Sequence, residues 1–339
     1  MTGILGNLRP VQLREVWPRE AADFTPWLAE NLAALGDAVG MDLELVQTEA
    51  PVGAFALDVL ASDVSSGRKV AIENQLETTN HEHLGQLLTY ASGYEADVVI
   101  WIASNLREEH RQALDWLNER TDSTTDFFGI VVEAFRIDDS APAYRFNLVA
   151  RPNEWRKANM ATAAGVNLTG RQEAYRAFFQ SLIDRLRDEH RFTNARVAQG
   201  KNWHDFASGF GGIRCRAAFN QGGMFSAQIY IDTGVYEDNK RLFDALLEHR
   251  HMVEERFQDP VTWERLDNNR ASRIAIYHYG AVDDAPERVA AYQDWLVETL
   301  LKLKSVVSPL IRDAIEGSEA GTPMRSTTEE EPYQADSGQ

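Results

Sequence analysis

Read for the spacing of its apolar positions, the first half of the chain changes period repeatedly. From Asp23 to Gly36, Trp27, Leu28, Leu32 and Leu35 recur at helical spacing, with Gly36 where a C-cap belongs. Residues 10–17 alternate enough for a short strand or arm. Leu43–Ala50 and Phe55–Val64 are strand-like and meet at the Pro51-Val52-Gly53 turn. The hairpin sequence Ser65-Ser66-Gly67-Arg68 then leads into a third strand, Lys69–Leu76. Leu84, Leu87, Leu88 and Ala91 give Asn80–Gly93 the stripe of a helix. Ala96–Ala103 is continuously apolar, which suits a strand covered on both faces. An amphipathic helix over Leu106–Arg120 and strands over Phe127–Ile137 and Tyr144–Arg151 complete the series. Strands and helices alternating in this way predict an α/β fold over residues 1–152, a mixed sheet flanked by helices.

Periodicity is lost between 153 and 168, which reads as a linker. A second, α+β domain is expected over residues 169–316. Its helices are Arg171–His190, Asn239–Phe257 and one long or broken helix over Ala285–Ile315. Its strands are Arg214–Phe219 and Phe225–Asp232, a hairpin around Asn220-Gln221-Gly222-Gly223, and Ser272–Tyr279. From 317 to 339 no apolar face exists, and the expectation is a disordered acidic tail.

Composition narrows the classes. Apolar residues make up 44% and charged residues 25% of 339 positions, as in ordinary globular proteins. A lone cysteine, Cys215, excludes an internal disulfide framework and a multi-cysteine zinc site. With no long apolar run and no signal-peptide pattern in MTGILGNLRPVQLREVW, the expected address is the cytoplasm. Net charge is −18, unevenly spread: residues 1–150 carry 10 Lys/Arg against 24 Asp/Glu, whereas residues 151–216 carry 12 against 6. An acidic whole argues against an abundant non-specific DNA binder, and the middle segment is the one basic stretch.

Candidate chemistry concentrates between Phe55 and Tyr90. Strand side chains alternate, so Glu73 and Gln75 share one face of the third strand while Ile72 and Asn74 share the other. Polar groups on an otherwise apolar strand need partners, and Asp58 on the paired strand turns them into oxygen ligands for a hard cation. The plainer reading makes Asp58 a surface residue of an edge strand and Glu73 and Gln75 a solvated face. His81 and His83 lack zinc spacing and read as helix-start residues, and Gly209–Gly212 lacks the Lys-Ser/Thr of a P-loop. Trp203, His204, Lys201, Arg214 and Arg216 form a basic-aromatic group suited either to a nucleic-acid strand or to a plain amphipathic surface.

Asp58, then after fourteen residues Glu73-Asn74-Gln75, then a helix bearing Gln86 and Tyr90, resembles the PD-(D/E)xK nuclease superfamily, whose fold is restriction-endonuclease-like. The Gln-x-x-x-Tyr helix is similar to the RecB-like branch. The segments at 239–249 and 263–274 also resemble an uncharacterised bacterial family with a C-terminal domain of unknown function, number 4268.

The first resemblance implies a Mg2+-dependent endonuclease (Mn2+ serving as well), acting on nucleic acid, DNA before RNA, in bacterial defence or repair. It implies Asp58, Glu73 and the Asn74 backbone carbonyl as metal ligands, and Glu30 as an outer ligand for a second ion. Gln75 takes the third catalytic position, while Gln86 and Tyr90 brace the site or touch the phosphate backbone. A homodimer or a defence-complex partner goes with that reading. Two departures stand out. Leu57 replaces the proline before Asp58, and Gln75 stands where the family usually has lysine. An amide can orient water and hydrogen-bond a phosphate oxygen, but it supplies no positive charge. A catalytically silent nucleic-acid binder or a scaffold of a defence complex is the alternative.

Overall fold

The computed structural model describes residues 6–122, 124–152 and 169–319. The linker expected at 153–168 and all of the expected tail from 320 onward lie outside them.

The N-terminal half is built on one mixed sheet. Its strands are β1 (Leu8–Val11), β2 (Leu43–Val52), β3 (Phe55–Asp63), β4 (Lys69–Thr78), β5 (Val98–Asn105), β6 (Asp126–Ile137) and β7 (Ala143–Ala150). Their order is β1-β6-β5-β4-β3-β2, with β7 also on β6. The centre, β4-β5-β6, is parallel, because helices α4 (His81–Gly93) and α5 (Glu108–Arg120) carry the chain back between strands. The hairpins β2-β3, β3-β4 and β6-β7 are antiparallel.

The two faces are covered by different helices. Leu87 of α4 and Leu114 of α5 pack on Val99, Trp101 and Phe127. On the other face Leu28, Leu32 and Leu35 pack on Val59, Ile72, Ile100 and Ile130. β5 is therefore buried from Val98 to Ala103, as its continuous apolar run required.

The first helix is not one element. A four-residue helix α1 (Leu13–Val16) precedes a π-helical turn at Glu20–Phe24, and α2 (Thr25–Glu30) and α3 (Leu32–Val39) are separated at Asn31. The Asn31 side chain bonds back to the Trp27 carbonyl at 2.7 Å, offering the backbone an alternative to continued helix. Gly36 is a buried interior residue rather than the cap. The cap is Gly40, whose φ of +75° suits glycine.

The second sheet is antiparallel, in the order β11 (Val261–Glu264), β12 (Ser272–Tyr279), β10 (Met224–Ile231), β9 (Ile213–Asn220), β8 (Trp203–Ala207). Helices α6 (Gly170–Asp188), α7 (Tyr236–Leu247) and α9 (Pro286–Glu319) close one face through Phe178, Leu182, Leu242, Leu246, Leu300 and Leu303. The helix expected over 239–257 is two, α7 and the short α8 (Arg250–Glu254). The long helix is continuous, with Pro309 inside it and its end at Glu319, inside the stretch expected to be disordered.

The two sheets are joined by side chains placed at the start of β2. Asp42, buried just before that strand, accepts from the Thr193 hydroxyl and from the Asn194 N–H (2.7 Å). Glu44 accepts from the Gly212 N–H and pairs with Arg214. Removing one partner of a buried charged hydrogen bond strands the others. Asp42→Ala is therefore expected to cost about 2–3 kcal/mol in denaturant titration, while a surface change such as Glu77→Ala costs under about 0.5 kcal/mol.

Candidate active site

Asp58 and Glu73 lie where β3 and β4 stop pairing. The strands run in register from Ser62↔Lys69 to Val59↔Ile72, and the next position on that register sets Asp58 opposite Glu73. Each is two residues from Leu60 or Ala71 on its strand and so shares their face; these pack with Tyr90, which sets the carboxylates under α4. The β4 N–H groups on the β3 side are then taken by carboxylates instead of by a strand. Asn74 N–H donates to Asp58 Oδ2 at 2.8 Å, and Leu76 N–H donates to Glu20 Oε2. The split therefore leaves no cost in unpaired N–H groups at those two positions.

Two acidic neighbours complete the site, and neither stood out in the sequence. Glu20 opens the π-helical turn. Glu49 falls opposite Asp58 by the β2–β3 register (Thr48↔Val59, Ala50↔Leu57), in a left-handed backbone conformation with φ +49°. Glu49, Asp58 and Glu73 thus stand in a row across three strands, an arrangement that like charges resist.

Burial pushes the Glu73 carboxyl well above the usual range, and the Asp58, Glu20 and Glu49 charges push it further. Asp58 is raised less, again chiefly by burial; its bond from Asn74 N–H works downward, and Glu49 and Glu20 work upward. Tyr90, buried on α4, is raised by burial and then by Glu73, Asp58 and Glu49, which places its phenol by the same charges.

Glu73 is 5% exposed, and its Oε2 is buried without a hydrogen-bond partner. The charged side chains acting on the pair, Glu20 and Glu49, are both acidic. A bare buried carboxylate oxygen beside a second carboxylate, with like charges around them, fits a hard divalent cation that keeps much of its water, such as Mg2+. Among the described residues no three His, Cys, Asp or Glu side chains are grouped to hold an ion. The residues thus fit a two-carboxylate site rather than an all-protein cage.

The remaining expected residues divide. Gln75 shares the Glu73 face, 2% exposed, and its amide is fixed at both ends. Oε1 accepts from the Trp101 indole N–H (3.0 Å), and Nε2 donates to the Thr78 carbonyl (3.0 Å). One amide N–H remains uncommitted. Asn74 sends its side chain to the other face, against Thr25, leaving only its backbone toward Asp58. Gln86 is half-buried one turn before Tyr90. Glu30 is exposed at the end of α2, in a recess of about 260 Å³ shared with Gly211 and Arg214; the acidic group that the N-terminal helical segment brings to the pair is Glu20.

The other signals weighed in the sequence have structural partners. Asn80 caps α4 through the His83 N–H, and His81 Nδ1 lies 2.9 Å from Nε2 of buried His110, itself bonded to Thr79. The Cys215 thiol is buried and pushed up to about 12. In the basic-aromatic group, His204 is buried, Arg214 pairs with Glu44, and Arg216 pairs with Asp205 between the rings of Trp203 and Tyr230.

Residues 174–311 match a family described as Domain of unknown function (DUF4268). No curated protein matches the chain. Among solved structures, "crystal structure of a repair endonuclease from Pyrococcus abyssi" is similar at 17% identity and a TM-score of 0.26. That match covers 29% of this chain and 43% of the other, so the chain spans less than half the length of that endonuclease.

The raised carboxyls give a stability prediction with a definite sign. Both bind protons more tightly folded than unfolded, so without divalent cations stability should fall as pH rises from the ordinary carboxylate range through neutrality. Glu73→Gln should flatten that fall and raise the melting temperature at about pH 8 in chelator, read by thermal denaturation across pH.

Proposed function

We propose that the N-terminal half, about residues 1–152, is a Mg2+-dependent nuclease of restriction-endonuclease-like fold that hydrolyses phosphodiester bonds, DNA before RNA, in bacterial defence or repair. The supporting observation is the Asp58–Glu73 pair at the β3–β4 split, two adjacent carboxylates with one bare buried oxygen among like charges. Asp58 and Glu73 would hold the ion, with the Asn74 backbone on the same side. When bound, Mg2+ supplies charge neutralisation at the phosphodiester and a lowered pKa for attacking water.

The residues of the chain do the rest. Asp58 is oriented by the Asn74 N–H, so its second oxygen has a fixed direction. Gln75, held by Trp101 and Thr78, offers one N–H to a substrate oxygen or to the water. Tyr90, with Gln86 one turn earlier, would meet the phosphate backbone, and burial keeps the phenol protonated as a donor. Glu20 bonds Leu76 N–H, so that β4 donor is satisfied without β3 beside it.

A silent nuclease-like protein is the second reading. It is favoured by the Gln75 amide, which brings no positive charge and is already committed at both ends. In that case the chain binds nucleic acid, or scaffolds a defence complex, without cutting.

Supercoiled and linear DNA and RNA incubated with Mg2+ or Mn2+ decide between them. Cleavage is expected only with the metal, and Asp58→Ala and Glu73→Ala should each lower it about 100-fold or more while the protein stays folded. Full activity in both variants would place the chemistry elsewhere. A Mg2+-dependent rise in melting temperature, lost in Glu73→Gln, checks ion binding apart from turnover.

A further inference from the structure

Of the ten described Lys/Arg in the basic stretch 151–216, five are paired with carboxylates. Arg176 pairs with Glu173, Arg185 with Asp294, Arg187 with Asp184, Arg214 with Glu44 and Arg216 with Asp205. Arg171 and Lys201 stay outside these pairs, as Arg191 and Arg196 do, but Arg171 and Lys201 share one recess. Both are exposed, and neither forms an ion pair with a described residue. Arg171 reaches the Tyr175 hydroxyl at 3.2 Å, and the Lys201 ammonium lies 4.8 Å from the centre of the Trp203 ring.

These two cations border one recess of about 950 Å³, between the first turn of α6 and the β9–β10 hairpin. Among the described residues no Asp or Glu lines it, in a chain of net charge −18. The amides of Gln172 and Gln221 line it too, while that of Asn220 is committed to the Ala218 carbonyl and the Ser226 hydroxyl. The floor of the turn is Gly222-Gly223, with φ of +80° and +68° and open space where a Cβ would be, so backbone N–H groups are approachable. The end of α6 itself is closed by the Thr169–Gln172 capping box and is not what draws an anion.

We propose that this recess grips the phosphodiester backbone of a nucleic-acid strand, Arg171 and Lys201 each meeting a phosphate and the Gln172 and Gln221 amides donating to phosphate and sugar oxygens. The inference takes its ligand class from the nuclease reading but not its site, which lies in the second sheet unit and contains none of the carboxylates. Two exposed cations, each beside an aromatic ring, suit a spaced row of phosphates better than one buried anion, which calls for convergent, desolvated donors.

The test uses the full chain and a labelled single-stranded 20-mer, with the matching duplex and inorganic phosphate as further arms, in Ca2+ to suppress cutting. Arg171→Gln/Lys201→Gln should weaken strand binding about tenfold or more in fluorescence anisotropy. It should also lower the slope of log affinity against log salt by about 1.4, the share of two phosphates on a single strand. Both residues are exposed and outside ion pairs, so the melting temperature should not change; Lys201→Glu checks the sign of the effect. Displacement of the strand by inorganic phosphate at low millimolar levels would point to a single-anion site and overturn the strand assignment. Unchanged affinity and slope in the double variant would overturn it, as would failure of the wild type to bind either oligonucleotide. Binding that depends on Arg171 and Lys201, without Mg2+-dependent cleavage or stabilisation, would leave this site standing and sink the nuclease reading.

Discussion

Two carboxylates that face each other across neighbouring strands are a standing electrostatic cost, and the N-terminal half is arranged around that cost. The sheet could have avoided it by continuing the β3–β4 ladder with apolar pairs. Instead the strands divide at Asp58 and Glu73, Asp58 and Glu20 take up the freed β4 N–H groups, and Glu49 adds a third charge to the row. Proteins rarely keep such clusters where nothing offsets them, and perturbed carboxyls gather at functional sites more often than elsewhere. Burial and the neighbouring like charges hold both carboxyls above their ordinary range, so a bound proton relieves part of that cost.

Much of this was legible from residue spacing. The three-strand, helix, strand, helix, two-strand order emerged from periodicity because each element has one buried face or two. The Asp58–Glu73–Gln75 face followed from the two-residue repeat of a strand. What escaped was the part that has no period. Glu20 lies in a π-helical turn whose geometry no apolar stripe announces. Glu49 lies opposite Asp58 on an edge strand that alternates poorly, in a left-handed conformation that apolar spacing does not reveal. Glu30, by contrast, had the regular helical setting that makes a residue conspicuous, but it lies at the far end of a helix whose first residue, Thr25, meets Asn74. The short strands β8 and β11, five and four residues long, were missed because so few positions cannot display an alternation.

The second unit shows the same division between pattern and partner. Its helices and hairpin follow from apolar spacing, but the fate of its arginines does not. A guanidinium reads identically in a sequence whether it will face solvent or be locked, as Arg216 is, between two rings and a carboxylate. Only the fold sorts paired cations from spare ones.

The irregular backbone of β2 has a further consequence. β2 is an outer strand of its sheet, ten residues long, with Leu45 and Val46 exposed, and so is a natural template for a strand from another molecule. Its register slips between Leu45 and Gln47, and Glu49 bends it again four residues later. A register slip and a left-handed residue in so short a stretch disturb the even row of donors and acceptors that edge-to-edge aggregation needs. The residue that crowds the carboxylates thereby also keeps the sheet from growing sideways.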